Sequence, residues 1–343
     1  MTVRLGFVGT GQMGQAAHLQ NFVRLPECDV VALAEPRQEL RERVARRHGI
    51  PRTYASAREM LDAEDLDGIV AIQPFDRHAQ ILPELYESGL PLLSEKPLAI
   101  DDATGEGLLA RLGDRAHRHM VAYHKRCDLA SEHARRRVAE LRASDEVGPV
   151  RYLRVTMPPG DWIQGGFADI VRTDETPPAS DPDAVVDDAL LQFVNYYIHQ
   201  VNLIRFLLDE SFEVVHASAS GHLLVGLSES GVDVVLEMAP WHDASTWEES
   251  VLVGFERGWL RLDLPAPLAT MKAGTVTEHR DAGDGASALH RTFANEHAML
   301  SQARRFVALV RGDATAPTDA TDALIDLRIA AAYVAATEAR RVR

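Results

Sequence analysis

Short apolar runs near the N-terminus alternate with longer segments whose apolar residues recur every three or four positions. Five runs have the length and composition of buried strands: VRLGFVG (3–9), DVVALAE (29–35), DGIVAIQ (67–73), LPLLSEK (90–96) and HMVAYH (119–124). The segments between them have helical spacing and can act as the crossover connections that parallel strands require. The pattern predicts an N-terminal α/β domain over residues 1–125, built on a doubly wound parallel (Rossmann) sheet.

From residue 126 onwards the apolar runs follow one another with turns between them. These runs are PVRYLRVTM (149–157), VVHASASGHLLVGL (214–227), GVDVVLEMAP (231–240) and SVLVGFERGWLRLDL (250–264). Strands joined in this way form a mostly antiparallel sheet. We therefore predict a C-terminal α+β domain over 126–316, with its sheet covered on one face by helices. We expect the acidic, proline-rich stretch DETPPASDPD (174–183) to be a surface loop or a flexible lid.

The segment FVNYYIHQVNLIRFL (193–207) is apolar enough to be buried and is predicted to form one continuous helix. On such a helix Gln192, Asn195, His199 and Asn202 share a wedge of about 80°. An unpaired buried amide costs about 1–3 kcal/mol, so these groups need partners. From the pattern alone, the stripe is either a hydrogen-bonded seam or solvated edge, or the lining of a substrate pocket.

Composition narrows the range of functions. The 343 residues are 46% hydrophobic, which is enough for two packed domains. A formal net charge of −15 argues against nucleic acid and anionic membranes as partners. We expect a cytoplasmic protein, because the sequence lacks a signal-peptide pattern and has no apolar run of the ~20 residues that span a bilayer. Cys28 and Cys127 are too few for a disulfide framework, and no metal site is expected.

The stretch VGTGQMG contains the pattern G-x-G-x-x-G between the first strand and the first helix. In that context Gly9 permits a tight turn, Gly11 lets a pyrophosphate approach the backbone, and Gly14 lets helix and strand pack closely. The helix N-terminus supplies N–H groups to the phosphates. Glu35, at the end of the second strand, can accept from an adenosine ribose and repels a 2′-phosphate, which favours NAD. Arg37 can partner such a phosphate, so NADP stays open.

A further short strand is predicted near Thr53, so the run LPLLSEK is the fifth strand, and Lys96 stands at its carboxyl end in LLSEKPLAI. Open α/β sheets bind ligands at the carboxyl ends of their strands, where a lysine can reach a substrate hydroxyl or carbonyl. Burial beside a cationic nicotinamide lowers the pKa of a lysine and suits it to proton relay. The short motif leaves a surface Glu–Lys pair as the alternative.

These motifs, together with HAQILPELYESGLPLLSEKPLA (78–99), VAYHKRCDLA (121–130) and a later helix with His199, resemble the Gfo/Idh/MocA family. The family is named after glucose-fructose oxidoreductase, inositol dehydrogenase and a rhizopine catabolism protein. The resemblance spans nearly the whole chain. It implies an NAD(P)-dependent oxidoreductase acting on a secondary alcohol or ketone of a sugar, cyclitol or related polyol. It also implies a homodimer or homotetramer, and a helix within 317–343 that packs back on the Rossmann domain.

The resemblance further implies that Lys96 lies at the reacting hydroxyl, that His199 assists it, and that Arg126 lies near the mouth of the site. Trp162 is either a platform for a sugar face or a packing residue. The expected cofactor contacts are Gly9, Gly11, Gln12, Met13, Gly14, Glu35, Arg37, Pro74, His78, Glu95 and Lys96. The expected substrate contacts are Lys96, Arg126, Trp162, Asn195 and His199.

The family's second-domain signature, Asp-x-Gly-x-His-x-x-Asp, corresponds here to Asn195, Tyr197, His199 and Asn202, so only the histidine is retained. An amide orients an imidazole without the charge that stabilises an imidazolium. His199 should therefore be a weaker base, and Lys96 should carry more of the proton transfer.

Two rival functions follow: an enzyme that retains its cofactor for elimination, epimerisation or glycoside cleavage through transient oxidation, and a nucleotide- or sugar-binding sensor with degenerate catalysis. On the family's fold the polar wedge faces the nicotinamide cleft, which favours a pocket lining.

Overall fold

The computed structural model describes residues 2–179, 187–241, 243–281 and 285–341, and the chain divides into two compact units. The first unit comprises Met1–Tyr123, Gly165–Asp188 and Met299–Leu327, and the second comprises His124–Gln164, Ala189–Ala298 and Arg328–Arg343. The division is therefore more interleaved than the sequence-based boundaries at 125 and 316.

The described part of the first unit is built on a six-stranded parallel sheet. Its strands are β1 (Val3–Val8), β2 (Cys28–Ala34), β3 (Arg52–Tyr54), β4 (Gly68–Ala71), β5 (Leu92–Ser94) and β6 (His119–Val121). Their spatial order, β3-β2-β1-β4-β5-β6, reverses direction between β1 and β4. This confirms the predicted doubly wound sheet, whose ligand edge lies at the carboxyl ends of the strands.

Helices connect these strands and bury their apolar sides against the sheet. A π-helix at Gly14–Leu19 continues into α1 (Gln20–Phe22), and it is followed by α2 (Gln38–His48), α3 (Ala57–Ala63), α4 (His78–Glu87) and α5 (Asp102–Leu112). Short 3-10 turns lie at Phe75–Arg77 and Gly113–Arg118. Phe22 packs edge-on against Phe7, with ring centroids 6.5 Å apart, and against Phe306, at 6.1 Å. The three rings are fully buried and form part of the core.

The second unit contains a mixed sheet with eight described strands. They are β7 (Val150–Thr156), β8 (Phe212–Ala217), β9 (Leu223–Ser228), β10 (Asp233–Glu237), β11 (Ser250–Phe255), β12 (Gly258–Asp263), β13 (Thr275–Asp281) and β14 (Ala286–Arg291). The order is β14-β13-β12-β11-β7-β10-β9-β8, and the described pairings are antiparallel except that of β7 with β10. The predicted mostly antiparallel sheet is confirmed.

The sequence pattern missed β13 and β14. TVTEHRD and ASALHR carry too many polar residues to give an apolar run, and every residue of β14 is exposed. Backbone hydrogen bonds hold these strands in place, because β13 pairs with β12 and β14 pairs with β13. Such backbone pairing does not produce a periodic pattern of apolar residues in the sequence.

The helices of the second unit include α6 (Leu129–Ser144), α7 (Asp188–Tyr196) and α8 (Ile198–Leu208), with a 3-10 turn at His124–Cys127. The prediction of one continuous helix over 193–207 was wrong, because Tyr197 adopts φ −110° and ψ −6° and separates α7 from α8. The polar wedge is consequently divided: Asn195 is exposed, whereas Asn202 is fully buried.

Two helices close the chain, α9 (Ala298–Arg311) and α10 (Ala320–Arg341). Val121 donates its backbone N–H to Thr318 O at 3.0 Å, so the last segment begins against β6 of the first unit. From Arg328 onwards it belongs to the second unit, in which the Tyr333 hydroxyl donates to Gly221 O at 2.7 Å. The region 317–343 thus contains the helix α10, whose residues through Leu327 belong to the first unit. The packing that the resemblance implies for this helix stays a prediction.

The predicted loop at 174–183 has no regular structure over residues 174–179, and the rest of that stretch lies outside the described residues. No helix in the described part of the chain combines the length and apolar character needed to cross a bilayer.

Candidate active site

The glycine turn has the geometry that a dinucleotide needs. Gly9 has φ +89°, and a Cβ there would lie 2.4 Å from Ile72 O. A Cβ on Gly14 would lie 2.6 Å from Gly9 O, so only glycine allows helix and turn to approach so closely. A Cβ on Gly11 would meet nothing within 4 Å. The space beside Gly11 is open at the start of a helix, which fits a pyrophosphate.

The carboxylate of Glu35 is buried at the end of β2 and is held from two sides. Thr10 donates its backbone N–H to Oε2 at 3.0 Å, and Arg37 donates to both oxygens through Nε and Nη2 at 2.8 and 3.0 Å. Burial opposes ionisation, but the hydrogen bonds from Arg37 and Thr10 outweigh it and lower the pKa of Glu35. An ionised acid therefore stands where an adenosine ribose is recognised, and Arg37 is engaged with it.

Glu95 and Lys96 continue from the carboxyl end of β5, as predicted. His18 Nε2 lies 2.7 Å from Glu95 Oε1, and Lys96 donates its backbone N–H to Glu95 Oε2 at 3.1 Å. Burial raises the pKa of Glu95, but the hydrogen bond and the charge of His18 outweigh it, so this pKa is lowered. Burial lowers the pKa of Lys96 to about 8, although the carboxylate of Glu95 acts in the opposite direction.

Buried hydrogen bonds connect Ser94, the last residue of β5, to His119 and Tyr86. The imidazole of His119 lies 2.8 Å from Ser94 Oγ through Nε2 and 3.0 Å from the Tyr86 hydroxyl through Nδ1. Burial lowers the pKa of His119 to about 3, so the ring is neutral and bridges the two hydroxyls. His78 is also buried, with Nδ1 3.0 Å from Leu98 O, and burial lowers its pKa.

The remaining residues of the predicted cofactor site differ in exposure. Gln12 and Pro74 are exposed, and Met13 is half-buried. Sequence reasoning missed His18 and Thr10, both of which are buried and bonded to the acids of the site. The available signal for His18 was a histidine in the first helix, four residues after Gly14 of the phosphate-binding turn.

The substrate-binding candidates His199, Arg126 and Trp162 belong to the second unit. His199 is half-buried in the first turn of α8, and its ring lies edge-on to that of His124 with centroids 4.6 Å apart. Arg126 is buried: it donates to Asn202 O at 3.2 Å, and its guanidinium lies 5.4 Å from the Phe206 ring centre. Trp162 is half-buried after β7.

A buried ion pair in the second unit also escaped the sequence reasoning. Lys125 is paired with Glu249, which accepts from Gln200 Nε2 at 2.9 Å, and the Lys125 ammonium lies 5.6 Å from the Trp247 ring centre. Within the residues that the structure describes, no three His, Cys, Asp or Glu side chains are grouped so as to hold a metal ion.

The doubly wound sheet, the open glycine turn and the ionised ribose acid define a dinucleotide-binding protein. Residues 3–123 match the family model described as "Oxidoreductase family, NAD-binding Rossmann fold". This match over residues 3–123 confirms the resemblance to the Gfo/Idh/MocA family, together with the oxidoreductase class and NAD as cofactor that the resemblance implies. Preference for NAD over NADP stays a prediction.

Two curated relatives and one solved structure extend the match. Inositol 2-dehydrogenase of Rhizobium meliloti (strain 1021) is 23% identical over 363 residues, covering 99% of this chain and 98% of that protein. The NAD(+) scyllo-inositol 2-dehydrogenase of Bacillus subtilis (strain 168) is 24% identical, covering 65% of this chain and 58% of that protein. A crystal structure of an oxidoreductase domain protein from Kribbella flavida has a TM-score of 0.77 at 20% identity, covering 99% and 98% of the two chains, and shows the shared fold.

Proposed function

We propose that this protein is an NAD-dependent dehydrogenase that acts on a CH–OH group of a cyclitol, sugar or related polyol. The observation that carries the proposal is the place of the half-buried Lys96 two residues after β5, where burial lowers the pKa of its amine to about 8 and leaves it able to take a proton near neutral pH. It lies at the ligand edge of the sheet that also carries the glycine turn. The names of the two inositol dehydrogenase relatives supply the cyclitol class.

Bound NAD supplies the hydride acceptor. In the oxidation direction Lys96 Nζ takes the hydroxyl proton of the substrate as the carbinol carbon gives up its hydride, and in the reverse direction the ammonium returns the proton. The carboxylate of Glu95, which is held by His18, accepts the backbone N–H of Lys96 and thereby fixes the backbone of that residue. His199 assists by hydrogen bonding to a substrate oxygen, and Asn195, Arg126 and Trp162 complete the proposed substrate contacts.

The test is NADH formation by the purified protein with NAD and a panel of inositols, hexoses and uronic acids. Turnover should be found with at least one of them, and Lys96→Met should abolish it. Lys272→Met, which alters an exposed lysine, is the matched control and should leave turnover unchanged. Turnover without added NAD would favour the cofactor-retaining enzyme, and NADH binding without any turnover would favour the sensor.

We further propose a cytoplasmic homodimer or homotetramer that uses the sheet face of the second unit turned away from the buried residues. Along β9, β11 and β12 this face carries half-exposed or exposed apolar side chains, among them Val225, Leu227, Leu252 and Trp259. Apolar side chains concentrated on one exposed face are typical of an interface. Light scattering would show a multiple of the 37.8 kDa chain mass, and a monomer at micromolar concentration would contradict the proposal.

A further inference from the structure

The stretch 165–175, which we term the strap, lies between β7 and α7 in the chain but belongs to the first unit. Val171 exchanges two hydrogen bonds with the amide of Gln15, which directly follows Gly14: its N–H donates to Oε1 at 2.8 Å, and its carbonyl accepts from Nε2 at 3.1 Å. On α2, Arg43 donates to Arg172 O at 3.0 Å. The strap is therefore attached to both helices that flank the predicted adenosine site.

The end of the strap places a carboxylate on the first turn of α2. Glu175 accepts from the backbone N–H of Glu39 at 3.0 Å through Oε1 and from that of Leu40 at 2.9 Å through Oε2. The N-cap of α2, Arg37, makes no side-chain capping bond, so Glu175 supplies the cap from a remote part of the chain. Burial opposes ionisation, but these backbone hydrogen bonds outweigh it and lower the pKa of Glu175.

The first turn of α2 follows directly on the ribose acid Glu35, so any group that recognises a substituent on the ribose 2′-oxygen comes from this part of the chain. A 2′-phosphate is normally received by free N–H groups at a helix start and by an arginine. Here Glu175 occupies the N–H groups of Glu39 and Leu40, and Glu35 occupies the guanidinium of Arg37.

We propose that Glu175 is a specificity-determining residue that excludes NADP, because its carboxylate fills the anion position at the start of α2. The inference rests on the proposed use of NAD by this unit. A 2′-phosphate must displace one anion and approach a second, Glu35, whereas the 2′-hydroxyl of NAD meets no such repulsion. The strap thus adds a second source of selectivity for NAD over NADP, beside Glu35, which the sequence already indicated.

The experiment compares the dissociation constants of NADH and NADPH, measured by calorimetric titration, for the wild type, Glu175→Gln and Glu175→Ala. Loss of the charge should tighten NADPH binding by about tenfold or more, as expected for removal of a close like charge, and should change NADH binding by less than about twofold. Asp169→Asn is the matched control: it removes a strap carboxylate that pairs with Arg47 instead of the α2 amides, and it should change neither constant.

Thermal melts of each variant separate binding from folding, and Glu175→Gln keeps an oxygen acceptor for the amides if Glu175→Ala proves too unstable. If Glu175→Gln binds NADH and the ratio of its NADPH and NADH dissociation constants equals that of the wild type, the inference is overturned and the proposed function stays intact. Absence of binding of either nucleotide to the wild type would overturn both. A change of equal size in Asp169→Asn would also overturn it, because the effect would then come from general surface charge.

Discussion

His18 Nε2 lies 2.7 Å from Glu95 Oε1, and this contact joins the helix after the phosphate turn to the strand end that carries Lys96. His18 is buried within the π-helix Gly14–Leu19, and π-helical turns are frequent at functional sites. The contact matters for chemistry because Glu95 acts on Lys96 in two ways: it accepts the backbone N–H, and its charge raises the pKa of the amine.

Replacing Glu95 with Gln should shift the pH dependence of turnover. Lys96 acts as a base only when neutral, so kcat/KM for alcohol oxidation should rise with pH and level off above about 8 in the wild type. Glu95→Gln removes the charge that raises the pKa of Lys96, so the rising limb should move to lower pH. The pH profiles of the two proteins, measured with the same substrate, provide the test, and a shift to higher pH would contradict this assignment.

Replacing His18 with Phe should destabilise the protein at neutral pH. The buried carboxylate of Glu95 loses its side-chain partner, and such a loss costs about 1–3 kcal/mol. His18 lowers the pKa of Glu95. The contact between the two residues therefore stabilises the folded protein above the usual carboxyl pKa of about 4, and this stabilisation is lost as the pH falls through the lowered pKa of Glu95. The difference between wild type and variant in denaturant melts should therefore narrow below about pH 4.

The exposed His117 provides the control for this experiment. His117→Phe should leave the free energy of unfolding within about 0.5 kcal/mol of the wild type at each pH. Equal destabilisation by the two substitutions would show that the contact with Glu95 is not responsible.

Substitutions at two glycines of the turn should affect different properties, the stability of the protein at Gly14 and the binding of NADH at Gly11. Gly14→Ala places a Cβ 2.6 Å from Gly9 O and should lower stability by about 1–3 kcal/mol, because backbone atoms must move. Gly11→Ala meets nothing within 4 Å and should leave the melting temperature unchanged. It should nevertheless weaken NADH binding on the order of tenfold, because the methyl group fills the approach to the pyrophosphate. Wild-type NADH affinity in Gly11→Ala would argue against this turn as the phosphate site.

Replacing His199 with Gln should lower kcat less than Lys96→Met does. No carboxylate occupies positions 195 or 202 to stabilise an imidazolium, so we expect His199 to act as a hydrogen-bonding group and its loss to reduce kcat about tenfold to a hundredfold. Steady-state kinetics of the two variants with one substrate provide the comparison. If His199→Gln abolished turnover as completely as Lys96→Met, the histidine would be the principal base.

Local sequence determined the parallel sheet, the glycine turn and the place of Lys96. Strand and helix periodicities differ, and glycine spacing reports backbone shape directly, so these features can be identified without knowledge of distant contacts. Polar strands lack such a signal, so β13 and β14 were missed. The break at Tyr197 was missed as well, because the apolar spacing continues across it.

Only the tertiary structure decided which distant groups meet. Glu95 is paired with a histidine 77 positions away, Val171 with a glutamine 156 positions away, and Glu175 caps a helix 136 positions away. A carboxylate or an amide has the same letter whether it faces solvent or a buried partner, and its pKa and role depend on that partner. The sequence therefore determined the fold and the chemistry available to it, whereas packing of the first unit decided which acids are held, ionised and placed at the nucleotide site.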